Sequence, residues 1–527
     1  MTTIASLSAA QLGPLYASKE LSPVEVAKDA LARIERFEPE INAFVHRDEA
    51  TTLAMAEASQ ARWLKGEAIG PLDGVPVTIK DNIAVAGWPM RRGTSLASDE
   101  PFPDDAPATA RLREAGTVFL GKTTMPEYGW KGVGDSPLTG ITRNPWNTAT
   151  GPGGSSSGAA ACAALNLGCI HVGTDGAGSV RIPAAFTGVV GLKPSYGRIP
   201  AWPSSTMGFL AHLGPLTRTV TDTALAMKVI GQPDERDMTA MTSRPPDYVD
   251  GLQGGLRGLR IAWSPTLGLD VPVDPEIAAL THAAAQAFTE LGATVEEAEP
   301  GFADPLETLT TLWSAGAALA LRGVDAAGRA RMDPGLVAVA ELGERIPASS
   351  YVEALLYRRN ELALLMARFH ASYDLLLTPA LPLPAFAVGR NTPEHGAYGE
   401  DWTRWTPFTY PFNITQQPAI SVPCGLTRAG LPAGLQIVGR RRLRAGKPVR
   451  SGRTADQTDL TAIFLYFRHC WRQGPENPAL FRFEPIWHEP CRSRHCLGSL
   501  PWACCQGRFF CPNLRQGRPS EAVASGE

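Results

Sequence analysis

Apolar runs of strand length recur through most of this chain, and segments with helical periodicity separate them. The strand-like runs lie at 75–79, 118–120, 170–172, 189–192, 259–263, 375–378, 420–423 and 434–438. The helical patterns lie at 22–37, 48–64, 156–167, 275–291 and 351–369. Because apolar strands that alternate with helices are buried on both sides, this order predicts an α/β fold with helices on both faces of a central β-sheet.

At 527 residues, the chain is long enough for one large core or two ordinary ones. Proline-rich stretches near Pro245 and Pro379 do not divide it, since strand patterns continue on both sides of each. The composition changes after Gly439: residues 440–527 hold 14 Arg and one Lys against seven acidic residues, a charge near +8 (15 − 7). We therefore predict one domain over 1–439 and an atypical Arg-, Cys- and Trp-rich tail of low order over 440–527.

Three hypotheses account for this tail. It is a basic, solvated extension, or it is translated from a shifted reading frame, which its composition suggests. An intact frame through residue 439 in the resequenced gene would refute the second hypothesis. The third is a zinc site without recognised ligand spacing. Its candidate ligands are Cys491, His495, Cys496, Cys504 and Cys505.

Charge, cysteine count and the start of the chain argue against several classes of function. A formal net charge of −3 gives the chain as a whole no electrostatic footprint for nucleic acid or an anionic membrane. Only three of the nine cysteines lie in 1–439, too few for a disulfide framework. No apolar stretch is long enough to span a membrane, and no basic region precedes an apolar run at the N-terminus. We expect a cytoplasmic enzyme with no nucleic-acid and no membrane partner.

Two segments rich in small residues carry the candidate chemistry. The first, at 151–158, reads Gly-Pro-Gly-Gly-Ser-Ser-Ser-Gly and leads into a helix; alone, it is compatible with a phosphate cradle or a flexible loop. The second places Gly176, Ala177 and Gly178 directly before Ser179. Such small residues let the backbone turn sharply and direct N–H groups at an oxyanion beside the serine hydroxyl, which an acyl-transfer site needs.

A serine nucleophile needs a base, and the nine histidines offer no convincing candidate. His171 lies in an apolar strand and reads as a satisfied core residue, while His46 and His212 have no motif around them. Lys80 follows the apolar run 75–79, where burial would disfavour the ammonium and lower its pKa. Most lysines so placed are ordinary solvated strand-end residues, but here Lys80 is the candidate base.

Taken together, these segments resemble the amidase signature family over about residues 22–439. The matching stretches are Gly-Val-Pro-Val-Thr-Ile-Lys-Asp at 74–81, Gly-Gly-Ser-Ser at 153–156, Gly-Thr-Asp…Gly-Ser-Val-Arg-Ile-Pro at 173–183, Gly-Leu-Lys-Pro at 191–194, Pro-Ala-Ile-Ser-Val-Pro at 418–423 and Gly-Leu-Gln at 434–436. The resemblance implies the amidase signature fold, a large mixed sheet covered by helices, with no metal and no cofactor. It also implies hydrolysis of a carbon–nitrogen acyl bond.

The resemblance further implies roles for individual residues. Ser179 attacks the acyl carbon, and Ser155, a cis-peptide serine in the family, relays its proton to neutral Lys80. The family's oxyanion hole corresponds to Gly176, Ala177 and Gly178. Its supporting positions correspond to Ser156, Asp175 and Arg181. The border of its acyl pocket corresponds to Tyr128 and Gly129. The substrate would be a small-molecule amide, anilide or carbamate, and the apolar stretch 202–213 favours one with a hydrophobic or aryl group.

Other functions compete with this interpretation. Residues 116–123 match the phosphate-binding pattern Gly-x-x-x-x-Gly-Lys-Thr, but 118–120 is itself a strand, so we expect no nucleotide site there. The A subunit of a glutamine-dependent tRNA amidotransferase shares the fold and the triad, although it is more polar where this chain reads 202–213. A binding or scaffold protein that has lost turnover is the third alternative. The oligomeric state stays open, and a homodimer is compatible with the sequence.

Overall fold

The computed structural model describes residues 3–252, 255–394 and 396–441, all within one compact unit. In these residues the strands β1 to β13 are Phe44–His46, Pro76–Lys80, Val118–Thr123, Asp135–Ser136, Gly140–Ile141, Ile170–Asp175, Val190–Lys193, His212–Thr217, Arg260–Trp263, Thr294–Glu297, Leu375–Pro379, Ala419–Leu426 and Pro432–Val438.

The α-helices α1 to α15 of the same residues are Ala9–Ala17, Pro23–Ile41, Glu49–Lys65, Pro107–Glu114, Ser157–Ala164, Arg181–Thr187, Val220–Ile230, Tyr248–Gly251, Pro275–Glu290, Leu306–Ala320, Ala326–Arg329, Pro334–Glu344, Ala348–Tyr357, Ala363–Ser372 and Pro411–Ile414. Short 3₁₀ segments lie at Ile4–Ser6, Glu127–Gly129, Gly208–Leu210 and Trp402–Trp405. A π-helical turn, Arg358–Leu362, joins α13 to α14.

Eleven strands form one mixed sheet in the order β1-β3-β2-β6-β8-β7-β12-β13-β11-β9-β10, and β4 pairs with β5 apart from it. Strands β3, β2 and β6 run parallel to one another, as do β11, β9 and β10. The other pairs in the sheet are antiparallel. The predicted α/β fold with a large mixed central sheet is confirmed.

Both faces of this sheet are covered. Along β11, Leu375 and Leu377 join one hydrophobic cluster, whereas Leu376, between them, joins another. Ile437 and Val438 of β13 divide between the same two clusters. Because successive side chains of a strand point to opposite faces, each cluster lies on its own side of the sheet. The continuous apolar runs of the sequence reflect this double burial.

Capping residues set the helix starts that the sequence predicted. The Ser22 side chain accepts the backbone N–H of Glu25, whose carboxylate accepts the N–H of Ser22 in return, so α2 starts with a capping box. Asp48 caps α3 by accepting the N–H of Thr51. The predicted end of α2 at residue 37 is too early: the helix continues to Ile41, which is buried, and ends where Asn42 adopts a left-handed conformation.

A second helix end also differs from the sequence prediction. Helix α5, expected over 156–167, ends at Ala164. Asn166 has a φ of 58°, a left-handed conformation that a helix does not continue through. The turn that follows leads into β6.

The predicted tail, 440–527, lies outside the described residues except for Arg440 and Arg441, and so do the candidate zinc ligands within it. A guanidinium nitrogen of Arg440 lies 3.4 Å from a carboxylate oxygen of Asp374. The three cysteines of the described ranges are buried and free: Cys162, Cys169 and Cys424. Among the helices of those ranges, none combines the length and apolarity that crossing a membrane requires.

Candidate active site

The sheet brings Lys80 close to the segment that leads to Ser179. Lys80 is the last residue of β2, which runs parallel to β6 with Thr78 opposite His171. Because parallel neighbours end at the same edge of a sheet, Lys80 lies close to Thr174 and Asp175 at the end of β6. The sequence segments that begin at 74 and 173 therefore converge at one edge.

Lys80 contacts three hydroxyl groups there. Its Nζ lies 2.7 Å from the Oγ of Ser155, 3.1 Å from the Oγ of Ser156 and 2.9 Å from the Oγ1 of Thr174. The peptide bond between Gly154 and Ser155 is cis, as the resemblance implied. The lysine side chain is fully buried, with no carboxylate in contact with its amine among the described residues.

Burial controls the charge of this lysine. Loss of solvation lowers the pKa of Lys80 from 10.5 to about 7, although the carboxylates of Asp175 and Asp81 oppose the change. A substantial fraction of the Lys80 amines is therefore neutral near pH 7, and a neutral amine can accept a proton. The alternative, that Lys80 is an ordinary solvated lysine at a strand end, is excluded by its burial.

Ser179 follows the turn between β6 and α6. Its backbone oxygen accepts the N–H of Ser156 at 3.1 Å, which joins the two serine segments. In the described part of the chain no hydrogen bond ends on the Ser179 hydroxyl, which lines the same cavity as Ser155. Gly178 precedes it with a φ of 127°, and a Cβ there would overlap the Thr409 hydroxyl. A glycine is therefore needed for this turn.

Asp175 and Arg181 hold the turn from inside. Two nitrogens of the Arg181 guanidinium donate to the two oxygens of Asp175, at 3.0 and 2.9 Å, and both side chains are fully buried. The Asp175 carboxylate also accepts the backbone N–H of Gly178 at 2.8 Å and that of Val180 at 3.2 Å. Burial alone would raise the pKa of Asp175, but Arg181 outweighs it and holds the pKa well below its ordinary value.

This arrangement bears on the expected oxyanion hole. Of the three residues assigned to it from the sequence, Gly178 has its N–H committed to Asp175. The N–H groups of Gly176, Ala177 and Ser179 remain as candidate donors to a developing oxyanion.

Two residues that the sequence analysis gave no role complete the support. Asn413 donates from its amide to the Asp175 carboxylate at 2.8 Å, and its amide oxygen accepts from Arg181 at 2.6 Å. The Gln436 side chain accepts from Arg181 at 2.7 Å. Gln436 stands in the Gly-Leu-Gln segment that carried the family resemblance, so that motif was the available signal for its importance.

A cavity of about 270 Å³ opens onto these serines, and we call it the catalytic pocket. Tyr128 and Gly129, expected at the acyl pocket, line it together with Ser155 and Ser179. Its apolar walls include Met90, Trp202, Met207, Leu213, Trp313 and Leu319. Its other polar side chains are Asn82, Arg92, Thr174, Ser204, Ser205, Thr206 and His212. Residues 3–252, 255–394 and 396–441 contain no cluster of His, Cys, Asp or Glu side chains suited to a metal ion.

Two buried histidines of the described residues, His171 and His212, are poorly suited to act as the base in this site. His171 is buried as expected, and its Nδ1 lies 2.9 Å from the Thr78 hydroxyl, while burial lowers its pKa to about 3. Its Nε2 has no partner among the described residues, so it is only half satisfied. His212, which has no motif around it in the sequence, lines the catalytic pocket; burial holds its pKa well below the ordinary value, and its Nδ1 lies 2.8 Å from the Leu210 carbonyl oxygen.

The segment that matches the phosphate-binding pattern, 116–123, contains the strand that the sequence predicted there. Lys122 lies within β3 rather than at a helix start. Its amine is buried and donates to the carbonyl oxygens of Asp81 and Pro89, at 2.8 and 2.9 Å. It therefore has no freedom to reach a nucleotide.

Comparisons with known proteins find relatives over most of the chain. The model of the family described as Amidase matches residues 25–443. An acylamidase of Rhodococcus erythropolis is 40% identical over 443 residues, which cover 83% of this chain and 92% of the relative. The A subunit of the glutamyl-tRNA(Gln) amidotransferase of Symbiobacterium thermophilum is 36% identical over 463 residues, covering 82% and 93%. A bacterial aryl acylamidase of known crystal structure superposes with a TM-score of 0.78 at 32% identity, over 88% of this chain and 96% of that one.

Proposed function

The chain belongs to the amidase signature family, and on this premise we propose that it is a free-standing amidase for small amides, anilides or carbamates with a hydrophobic or aryl group. The observation that carries the proposal is the buried amine of Lys80, 2.7 Å from the Ser155 hydroxyl. The 40% identity to an acylamidase and the likeness to an aryl acylamidase support the same reaction type.

The reaction would proceed through an acyl-enzyme. The Ser179 oxygen attacks the acyl carbon while its proton passes to Ser155, whose own proton passes to the neutral Lys80 amine. The N–H groups of Gly176, Ala177 and Ser179 stabilise the oxyanion. The proton then returns through Ser155 to the leaving nitrogen, the C–N bond breaks, and water releases the acid by the reverse route.

The walls of the catalytic pocket support the proposed substrate class. Two tryptophans, Trp202 and Trp313, and the apolar side chains of Met207 and Leu319 line it. Aromatic and aliphatic walls bind a hydrophobic group with little loss of hydrogen bonds.

The A subunit of an amidotransferase is the second candidate, because a relative with that name is 36% identical over most of its length. A single set of rate measurements separates the two. Purified protein is assayed on p-nitroacetanilide, a p-nitrophenyl ester, an aryl carbamate and glutamine. Hydrolysis of the anilide or carbamate with glutamine inert supports a free-standing amidase, and glutamine turnover alone supports the amidotransferase component.

Variants assign the chemistry. Lys80→Ala and Ser179→Ala should each abolish hydrolysis, and an unchanged rate in either would refute the mechanism. Ser157→Ala is the matched control: its hydroxyl is buried next to the catalytic turn but has no hydrogen-bond partner in the described part of the chain. Activity in this control and not in the others would tie the reaction to the two residues.

A further inference from the structure

Arg92 is the arginine that, among the described residues, lines the catalytic pocket. Its guanidinium makes no hydrogen bond or ion pair with any residue that the structure describes, and it is half-buried. The neighbouring Arg91 behaves differently, since its side chain donates to Asp99 at 2.5 Å and to the Val45 carbonyl oxygen at 3.2 Å. The backbone of Arg92 is nevertheless fixed, because its carbonyl oxygen accepts the Tyr128 N–H at 2.8 Å.

In the described part of the chain, no carboxylate pairs with the guanidinium of Arg92. No acidic side chain occurs among the described residues that line the catalytic pocket. The nearby Asp81 carboxylate is already occupied, since it accepts the backbone N–H groups of Arg91 and Gly93 and lies 3.6 Å from the Lys122 amine. Among the residues that line the catalytic pocket, the guanidinium of Arg92 therefore has no carboxylate to balance its charge.

The charge also lies close to a pocket residue at the acyl side. Burial raises the pKa of Tyr128, and the positive charge of Arg92 opposes that rise, as expected for a guanidinium near the phenol. By the family resemblance, Tyr128 and Gly129 border the acyl half of the substrate. The unpaired guanidinium is thus positioned to meet a group on that half.

We propose that Arg92 binds a carboxylate on the acyl half of the substrate, so that the preferred substrates are amides of dicarboxylic acids. This inference rests on the amidase function proposed above. A guanidinium in a partly desolvated pocket pairs strongly with a carboxylate, because its planar fork can donate two parallel hydrogen bonds. The apolar walls would still accommodate the hydrophobic or aryl amine that leaves.

Matched anilides test the charge preference. Glutaryl-p-nitroanilide is compared with its neutral counterpart, hexanoyl-p-nitroanilide. A second pair, 4-acetamidobenzoate and acetanilide, tests a carboxylate on the amine half instead. We expect the glutaryl substrate to be preferred in kcat/KM by roughly tenfold or more, mainly through KM, as for one charge-assisted contact. A preference only for the amine-half carboxylate, or none at all, would overturn the proposal.

Variants assign the preference to one side chain. In Arg92→Gln the preference for the glutaryl substrate should fall at least about tenfold, and Arg92→Lys should retain part of it because the charge remains. Residue 92 has a φ of 55°. Gln and Lys carry a side chain as Arg does, so neither substitution changes what this backbone conformation requires. Arg91→Gln removes the adjacent charge outside the pocket and should keep the preference; an equal fall in this control would mean that only the overall field matters.

A binding measurement separates this proposal from the amidase function. Glutaryl-p-nitroanilide and hexanoyl-p-nitroanilide are titrated calorimetrically into Ser179→Ala and into Ser179→Ala combined with Arg92→Gln. Tighter binding of the glutaryl compound that is lost with Arg92→Gln supports the carboxylate site even if no anilide is hydrolysed. If the two compounds bind with equal affinity to each of the two proteins, the carboxylate site is excluded, whatever the hydrolysis assays give.

Discussion

Lys80 should make the stability of the folded protein depend on pH. Its pKa falls from 10.5 to about 7 on folding. Above pH 10.5 the amine is neutral in the folded and the unfolded chain, so its titration does not change the free energy of unfolding. As the pH falls from 10.5 towards 7, the unfolded chain gains a proton that the folded chain does not, and the folded state loses stability. Below about pH 7 both states are protonated and the loss stays constant.

The size of this effect follows from the two pKa values. The gap of about 3.5 pH units (10.5 − 7) corresponds to about 5 kcal/mol at roughly 1.4 kcal/mol per unit. Between pH 7 and pH 9 the folded protein should gain about 2 kcal/mol in its free energy of unfolding from Lys80 alone. The hydroxyl contacts of the lysine add a term of their own, but the variation with pH reports the titration.

Urea unfolding at pH 7, 8 and 9 measures this gain. Relative to Lys80→Met, which cannot titrate there, the wild type should become more stable by about 2 kcal/mol from pH 7 to pH 9. Ser179→Ala is the control, because it lacks the nucleophile but keeps the amine and should follow the wild type. Parallel stability curves for the wild type and Lys80→Met would mean that the amine keeps its ordinary pKa, and its role as a base near neutral pH would be refuted.

Three further predictions follow from the site. Below pH 7, kcat/KM on a neutral anilide should rise about tenfold per pH unit and then level off, as the lysine amine loses its proton; a flat profile from about pH 5 to 9 would contradict this. Gly129→Ala should lower kcat by about tenfold or more, because its Cβ would lie 3.1 Å from the Ser155 hydroxyl at a φ of 72°. Gly140→Ala has the same φ of 72° but open space around its Cβ, so an equal loss in kcat would count against a steric cause. Asp175→Asn should destabilise the protein by about 3–5 kcal/mol in denaturant unfolding, since it leaves the buried Arg181 guanidinium without a counter-charge; a midpoint equal to that of the wild type would exclude this.

Local sequence patterns were sufficient to predict most of the sheet. The strands are buried on both faces, so their apolar runs are nearly continuous, and capping residues such as Ser22 and Asp48 mark helix starts. Helix ends were harder to predict. Those of α2 and α5 depend on left-handed backbone conformations at Asn42 and Asn166, and an asparagine adopts that conformation only in some contexts.

Ser155, Ser179 and Lys80 could be singled out as candidate site residues because each lies in a short motif of its own. Arg92 and His212 could not, because no local pattern shows that their segments line one cavity with Ser179. The supports of Arg181 were hidden for a similar reason: Asn413 and Gln436 contact it across 232 and 255 positions of the chain. Such contacts are set by the pairing order of the sheet, which periodicity does not reveal.

The pairing order of the sheet also determines when the domain can fold. Strands β12 and β13 are the last of the described strands in sequence, yet they lie in the middle of the sheet, where β12 pairs with β7 and β13 with β11. A chain still on the ribosome and ending before Ala419 would have two separate half-sheets, each with an unpaired edge open to other chains.

Such a nascent chain would also lack Gln436, one of the residues that hold Arg181 under the nucleophile turn. A hydrolytic site is therefore completed only after nearly the whole domain has been synthesised. Until then the two half-sheet edges would stay open to pairing with other chains, and the turn around Ser179 would lack part of the hydrogen bonding that holds it.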